Sequence, residues 1–311
     1  CTSCGAAAVL GGSTNYAFGC LSFIGGGFCN IVSEAKYGVI VGGCKNEITG
    51  SDTVGTRSFI GGGVFNCISS NYSTIVGGES NTIELTANYS IIGGGASNLI
   101  CTTEAYGAIL GGRQNIVDGD YGAVVGGYQN CARASYAFVG GGFSNDAYNS
   151  YATIAGGYDN RAANACTFVG GGYQNCADGL DSVVAGGRDN YASTTRAAVV
   201  GGYFNCARGA CSFAGGGYSN DALGTFSVVA GGYNNTNYEN CSFIGGGTTN
   251  VITGTGCCHV IVGGGSNCID TTGNKNTISG GGSNCILCNI ENSTIAGGAS
   301  NIICRTSGTD Y

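Results

Sequence analysis

The residues that could do chemistry in this chain are nineteen Cys, one His and a thin scatter of carboxylates. Cys-x-x-Cys occurs at Cys1 and Cys4 and again at Cys285 and Cys288, the spacing with which a zinc ribbon holds half of its metal. These halves lie at opposite ends of the chain, and neither is followed by the His of a haem attachment site. His259 stands beside Cys257 and Cys258 and could be at most half of a metal site; the plainer reading is a surface residue in an irregular stretch. Nucleophilic triads need a His base, and only this one exists. Asp159, Asp178, Asp181 and Asp189 could in principle supply a glycosidase pair, but Asp is also an ordinary turn residue. No Gly-Lys-Ser/Thr follows the glycine runs, so they are not phosphate loops, and the calcium-binding nonapeptide is absent. The expectation is a protein that is not an enzyme, with no cofactor and no metal.

Disulfides in an oxidising, extracellular setting account for the Cys count better than metal sites do. An odd count requires at least one free or intermolecular Cys. Cys1, Cys4 and Cys304 stand near the chain ends and are candidates for bridges between subunits, with local bridges between neighbouring segments expected elsewhere. Charged residues make up 9% of the 311, far below the usual quarter. Such a surface is either covered in an assembly or carries something else, such as glycans. Asn-x-Ser/Thr sequons stand at Asn71, Asn88, Asn234, Asn240 and Asn292. The net charge of -7 is spread along the chain and suggests no nucleic-acid partner. No run of eighteen apolar residues occurs, so no membrane-spanning helix is expected.

The elements that must position these residues are written in a repeat. A Gly-Gly pair followed by Asn three residues after its second Gly occurs nineteen times, from Gly11-Gly12 and Asn15 to Gly297-Gly298 and Asn301. Between Asn115 and Asn250 every step is fifteen residues, and elsewhere the steps run from fifteen to twenty. A short fixed period over a whole chain predicts a solenoid. Numbered from each Asn, position −6 is Ile or Val in eighteen of nineteen units, Ala214 being the exception. Position +2 is Ala, Ile or Val in eighteen, Asn237 being the exception. Position −8 is small in seventeen, with His259 and Asn276 departing. These columns predict two short strands per unit, joined by the Gly-Gly turn, and essentially no helix.

The fold class expected is therefore all-β: a parallel β-solenoid or β-roll of about nineteen coils of ~15 residues, stacked at ~4.8 Å per coil. Residues 1–311 read as a single repeat domain, with a regular core over 115–250 and irregular flanks. At that rise nineteen coils make a rod of roughly 90 Å. The Asn column reads either as a turn residue or as a ladder of amides bonding above and below. Ala fills position +2 from Ala132 to Ala222, where the step is fifteen, and Ile or Val fills it in most of the longer flanking units, as a wider coil would require. A disulfide from Cys176 to Cys206 would contradict a fifteen-residue coil, because it would have to span two rungs.

The first strand is apolar on both faces. Position −7 points outward and holds Phe23, Phe59, Phe138, Phe168, Phe213 and Phe243, each followed two residues later by Gly. Other units usually place Val, Ala or Leu at that second position, so bulk is compensated on one face. A strand apolar on both sides is covered on both sides. One cover is the coil's own core; the other is expected to be a second chain, with these Phe at an oligomer interface. Position −2 carries Tyr128, Phe143, Tyr158, Tyr173, Arg188, Tyr203, Tyr218 and Tyr233. This aromatic ladder reads either as packing that shields the turn or as a strip for a glycan or another surface.

At these residues the chain resembles the YadA-like head repeats of trimeric autotransporter adhesins, and related repeats of phage and giant-virus fibre proteins. Ser182-Val183-Val184-Ala185-Gly186 with Asn190-x-Ala192 is similar to the family's Ser-Val-Ala-Ile-Gly pattern, as are Ser227-Val228-Val229-Ala230-Gly231 and Ser22-Phe23-Ile24-Gly25-Gly26. The resemblance implies a left-handed parallel β-roll, trimeric, with the first strands lining the trimer interior. Departures are Asn in place of the usual Ser, an enlarged Gly turn, abundant Cys, and no coiled-coil stalk or membrane anchor in these residues. The function expected is structural, the rigid shaft of an extracellular fibre or appendage, at a cell or virion surface. A glycan-binding adhesin head and an ice-binding solenoid are the alternatives. The partner expected is the chain itself, as a homotrimer that could polymerise end to end.

Overall fold

The computed structural model describes residues 5–50, 57–103 and 106–304. Among these residues there are strands, turns and bends but no helix. Two compact units emerge, Cys1–Asp159 and Asn160–Tyr311. Each is a parallel β-solenoid, and together they hold about nineteen coils of roughly fifteen residues.

In the first unit each coil runs through a two-residue strand such as Ala123–Val124, the Gly-Gly turn, and a second short strand such as Cys131–Ala132. First strands pair only with first strands and second strands with second strands, all parallel and in register, as in Ala123↔Phe138 and Ile116↔Cys131. The sequence columns are thus columns in space. Position −6 fills the interior, with Ile24, Ile60, Ile109 and Val139 fully buried. Position +2 does the same from the other sheet, with Ile48, Ile83 and Ala132. Ile and Ala are both fully buried at this position, so the interior accepts either side chain without exposing it.

The second unit repeats the scheme, with Val183↔Ala198 in one sheet and Cys176↔Tyr191 in the other. Toward its end the longer coils place extra residues in the second strand, which grows to four residues at Val251–Gly254, Cys268–Thr271 and Cys285–Cys288. Cys176 and Cys206 flank Tyr191 in one column, two coils apart, and both are free thiols, which accords with a fifteen-residue coil.

Two turn positions impose the sequence. The second Gly of each pair has φ near +90°, for example Gly187 at 92°, and a Cβ there would strike the carbonyl oxygen of Gly202 in the next coil. Only Gly meets both demands. The residue before each Asn is also left-handed, and from Leu21 onward so is the residue nine before each Asn, and neither is Gly: Asp189 has φ 52° and Tyr121 57°. Such residues cost roughly 1–2 kcal/mol each and persist only where other interactions hold them.

Candidate functional site

From Asn30 to Asn284 the Asn column lies inside the coils and not on the surface. The Nδ2 of Asn190 donates to the carbonyl oxygens of Gly186 at 2.9 Å and Gly202 at 3.0 Å, and its backbone N–H donates to Oδ1 of Asn175 at 3.0 Å. Oδ1 of Asn190 in turn accepts from Asn205, from N–H at 2.9 Å and from Nδ2 at 3.3 Å. The same pattern runs from Asn15 to Asn145 in the first unit, as at Asn46 and Asn66. Of the two sequence readings, the ladder is the one observed, and it is a structural device whose buried polar groups are satisfied. Asn237, the polar intruder at position +2, is also fully buried; its Nδ2 donates to the carbonyl of Ser242 at 2.7 Å.

The outward face of the first strands is an open apolar strip in each unit. In the first, Phe59 and Phe138 stay 36–38% exposed, with Leu110 and Val76 beside them. In the second, Phe168, Phe213 and Phe243 stay 36–39% exposed, with Val200 and Val262 nearby. Phe23 is half-buried on the same face. The matched glycines have two causes. A Cβ on Gly215 would press on the Phe213 ring at 3.2 Å, as the sequence suggested, and it would also collide with the carbonyl of Ala230.

The aromatic column at position −2 forms a bridge-paired row of rings in each unit, stacked at Phe143–Tyr158 and Tyr218–Tyr233 and tilted at Tyr128–Phe143 and Tyr203–Tyr218. Tyr128, Phe143 and Tyr158 follow one another at 5.3 and 4.8 Å between ring centroids. In the second unit Tyr203, Tyr218 and Tyr233 lie 5.3 and 5.1 Å apart, and Arg188 bridges Tyr173 and Tyr203 with its guanidinium 4.8 and 5.3 Å from the two rings. The break at Arg188 is therefore filled by cation–π contacts.

A second, more regular ladder was not singled out by the sequence reading. Nine residues before successive Asn stand Tyr72, Tyr89, Tyr106, Tyr121, Tyr136 and Tyr151, all in the first unit. Neighbouring rings are 4.8–5.1 Å apart and within 4–11° of parallel. Arg57 heads the row, its guanidinium between Tyr37 at 5.5 Å and Tyr72 at 5.3 Å. All six rings are 40–56% exposed, and all six residues are left-handed. The N–H of Tyr136 is held by the carbonyl of Asp120 one coil back, at 2.9 Å, and that of Tyr151 by Ser135 at 3.0 Å. A stack of about 0.5–1.5 kcal/mol and a backbone bond of about 1 kcal/mol together offset the left-handed cost of each rung. The same alignment on Asn that exposed the other columns would have exposed this one.

The remaining candidates are dispersed. Asp159, Asp181 and Asp189 all sit in left-handed turns, Asp181 and Asp189 facing Arg196 and Arg188 at 3.7 and 3.2 Å. Asp178 accepts from the Tyr191 hydroxyl at 2.9 Å; burial, with this bond adding to it, raises that phenol to about 12. His259 is fully buried rather than on the surface: position −8 faces the interior. Its Nδ1 accepts from the N–H of Asn276 at 3.3 Å, its Nε2 has no partner, and burial lowers its pKa. Its neighbours Cys257 and Cys258 touch each other at 3.2 Å. No group of three or more His, Cys, Asp or Glu gathers as a metal site among the described residues.

Cys288 is bridged to Cys304 in the next coil, so Cys304 is engaged within the chain, and Cys285 faces Cys268 across the sheet. Cys20 is also disulfide-bonded. Cys1 and Cys4 lie outside the described residues. Burial raises the thiols of Cys176 and Cys268 to about 11, and that of Cys101 to about 12 with Asp118 adding to the effect. Among the sequons, Asn234, Asn240 and Asn292 are exposed, while Asn71 and Asn88 are half-buried and bonded to each other, N–H of Asn71 to Oδ1 of Asn88 at 2.9 Å.

Fold and surface define a repeat protein of the parallel β-solenoid class, with apolar and aromatic columns along its coils. No protein-family model matches the chain, and no curated protein does. No helix among the described residues is long and apolar enough to cross a membrane.

Proposed function

We propose that this chain is a non-enzymatic structural protein, a segment of the rigid shaft of an extracellular fibre, built as a homotrimer on a YadA-like repeat plan. The observation that carries the reading is the open apolar strip of the first strands. Phe, Val and Leu stand there in register on a face with almost no charge. Monomers seldom leave a contiguous apolar strip of this kind in water. Five of the six Phe keep a little over a third of their surface, so covering each contributes about 1 kcal/mol, and together with half-buried Phe23 and the aliphatic neighbours they favour association. A strip parallel to the coil axis suits closed cyclic symmetry. The scarcity of charge and the disulfides fit an extracellular setting.

Light scattering of the purified chain at micromolar concentration tests the reading. The mass of three chains is expected, and a well-folded monomer would remove the proposal. A second reading, an adhesin head, is favoured by the exposed aromatic columns. A glycan array separates the two, because a shaft leaves it blank.

A further inference from the structure

We propose that the tyrosine column Tyr72, Tyr89, Tyr106, Tyr121, Tyr136 and Tyr151 is a site of oxidative cross-linking, at which phenols on neighbouring coils couple to dityrosine and join coil to coil covalently. Four observations meet here. Consecutive rings lie 4.8–5.1 Å apart and nearly parallel, so each of the four inner phenols has another on both sides, and Tyr72 and Tyr151 have one each. All six residues are 40–56% exposed, so they are open to an oxidant in solvent. Stacking alone would be served by Phe, as at Phe143 in the other column, yet six successive rungs are Tyr. Backbone bonds to the preceding coil hold the rungs in place, so the pairing is set before any oxidant arrives. This inference stands apart from the fibre reading, since it needs only one folded chain.

The step balances with hydrogen peroxide as oxidant and a haem peroxidase as the one-electron catalyst. Each of two phenols loses one electron and its hydroxyl proton, leaving phenoxyl radicals with spin on the ortho carbons. Two radicals on adjacent rungs form one carbon–carbon bond between ortho positions. The ortho protons then move to the oxygens and restore both hydroxyls. The two electrons and two protons convert one hydrogen peroxide to two waters.

The test treats the full chain, at low concentration, with haem peroxidase and hydrogen peroxide. Trypsin cleaves after Arg113 and Arg133 and so places Tyr106, Tyr121 and Tyr136 on three separate peptides. Mass spectrometry is expected to find the first peptide joined to the second, and the second to the third, each pair lighter by two hydrogen atoms, with the bonds at Tyr106–Tyr121 and Tyr121–Tyr136. Tyr121→Phe, which keeps the stack, should abolish both links, and Tyr128→Phe should leave them. In urea the preference for neighbouring rungs should vanish. No dityrosine in the folded chain, links mapping to Tyr128 or Tyr148, or mixed pairs between isotopically labelled and unlabelled chains would each overturn the proposal.

Discussion

The backbone N–H of Asn190 donates to the side-chain oxygen of Asn175, 3.0 Å away and one coil back, and this contact ties the two coils through a fully interior amide. Asn190→Ala leaves the carbonyls of Gly186 and Gly202 without that donor and the N–H of Asn205 without its acceptor. The carbonyl of Gly202 keeps the N–H of Arg188, so the cost falls on the carbonyl of Gly186 and the N–H of Asn205, and a loss of about 2 kcal/mol or more is expected at about 1–3 kcal/mol per orphaned group. Asn190→Asp should be worse, because a carboxylate oxygen would then face two carbonyls. Denaturant titration of the two variants checks both the size and the order.

Adjacent glycines should respond differently. Gly187→Ala places a Cβ on the carbonyl of Gly202 at φ 92° and should destabilise by more than 1–2 kcal/mol, roughly the left-handed cost alone. The Cβ of Gly186→Ala meets nothing closer than 4.0 Å, so that variant should melt close to the parent. Equal melting temperatures for the pair would contradict the turn geometry.

If the first-strand strip is a subunit interface, Phe168→Asp with Phe213→Asp should dissociate or unfold the assembly, because a buried charge without a partner is costly. Substituting exposed Tyr233 by Asp, away from the strip, should leave the mass unchanged. Sedimentation of both variants separates an interface effect from a general one.

His259 links stability to pH. Burial lowers its pKa below the ordinary 6.5, so the unfolded chain binds the proton more readily than the folded one. Its contribution is complete above about 6.5 and is lost as pH falls through the folded value. His259→Asn, matching Asn276 in the next coil, should flatten this part of the stability profile. Thermal melts of the two proteins between neutral and mildly acidic pH measure the difference.

Thiol reactivity should divide by column. Cys176 and Cys268 are held near 11 by burial, leaving only about one thiolate in ten thousand at pH 7. Exposed Cys166 and Cys241 should be alkylated first in the folded chain. Labelling of Cys176 should accelerate as pH rises toward 11. Peptide mapping after timed alkylation reports the order.

The period of Gly-Gly and Asn, with Ile or Val six before and Ala or Ile two after, determines the coil, its two strands and its interior without reference to anything distant. A fifteen-residue coil bonds only to the coils beside it, so local spacing and spatial register are the same information. The outward Phe of the first strands was legible for the same reason: alternation assigns a face to each residue once the strand is placed. What the tertiary structure alone decided concerns turns and orientation. That Asn190 points inward, and that Tyr121 and its column stand left-handed and stacked in the open, depends on backbone angles the residue types do not prefer. Those angles are imposed by hydrogen bonds from the neighbouring coil, which exist only after the coils have stacked. His259 read as a surface residue for a like reason. Its burial follows from a column that takes small residues in most coils, and only the stacked structure shows a ring fitted there.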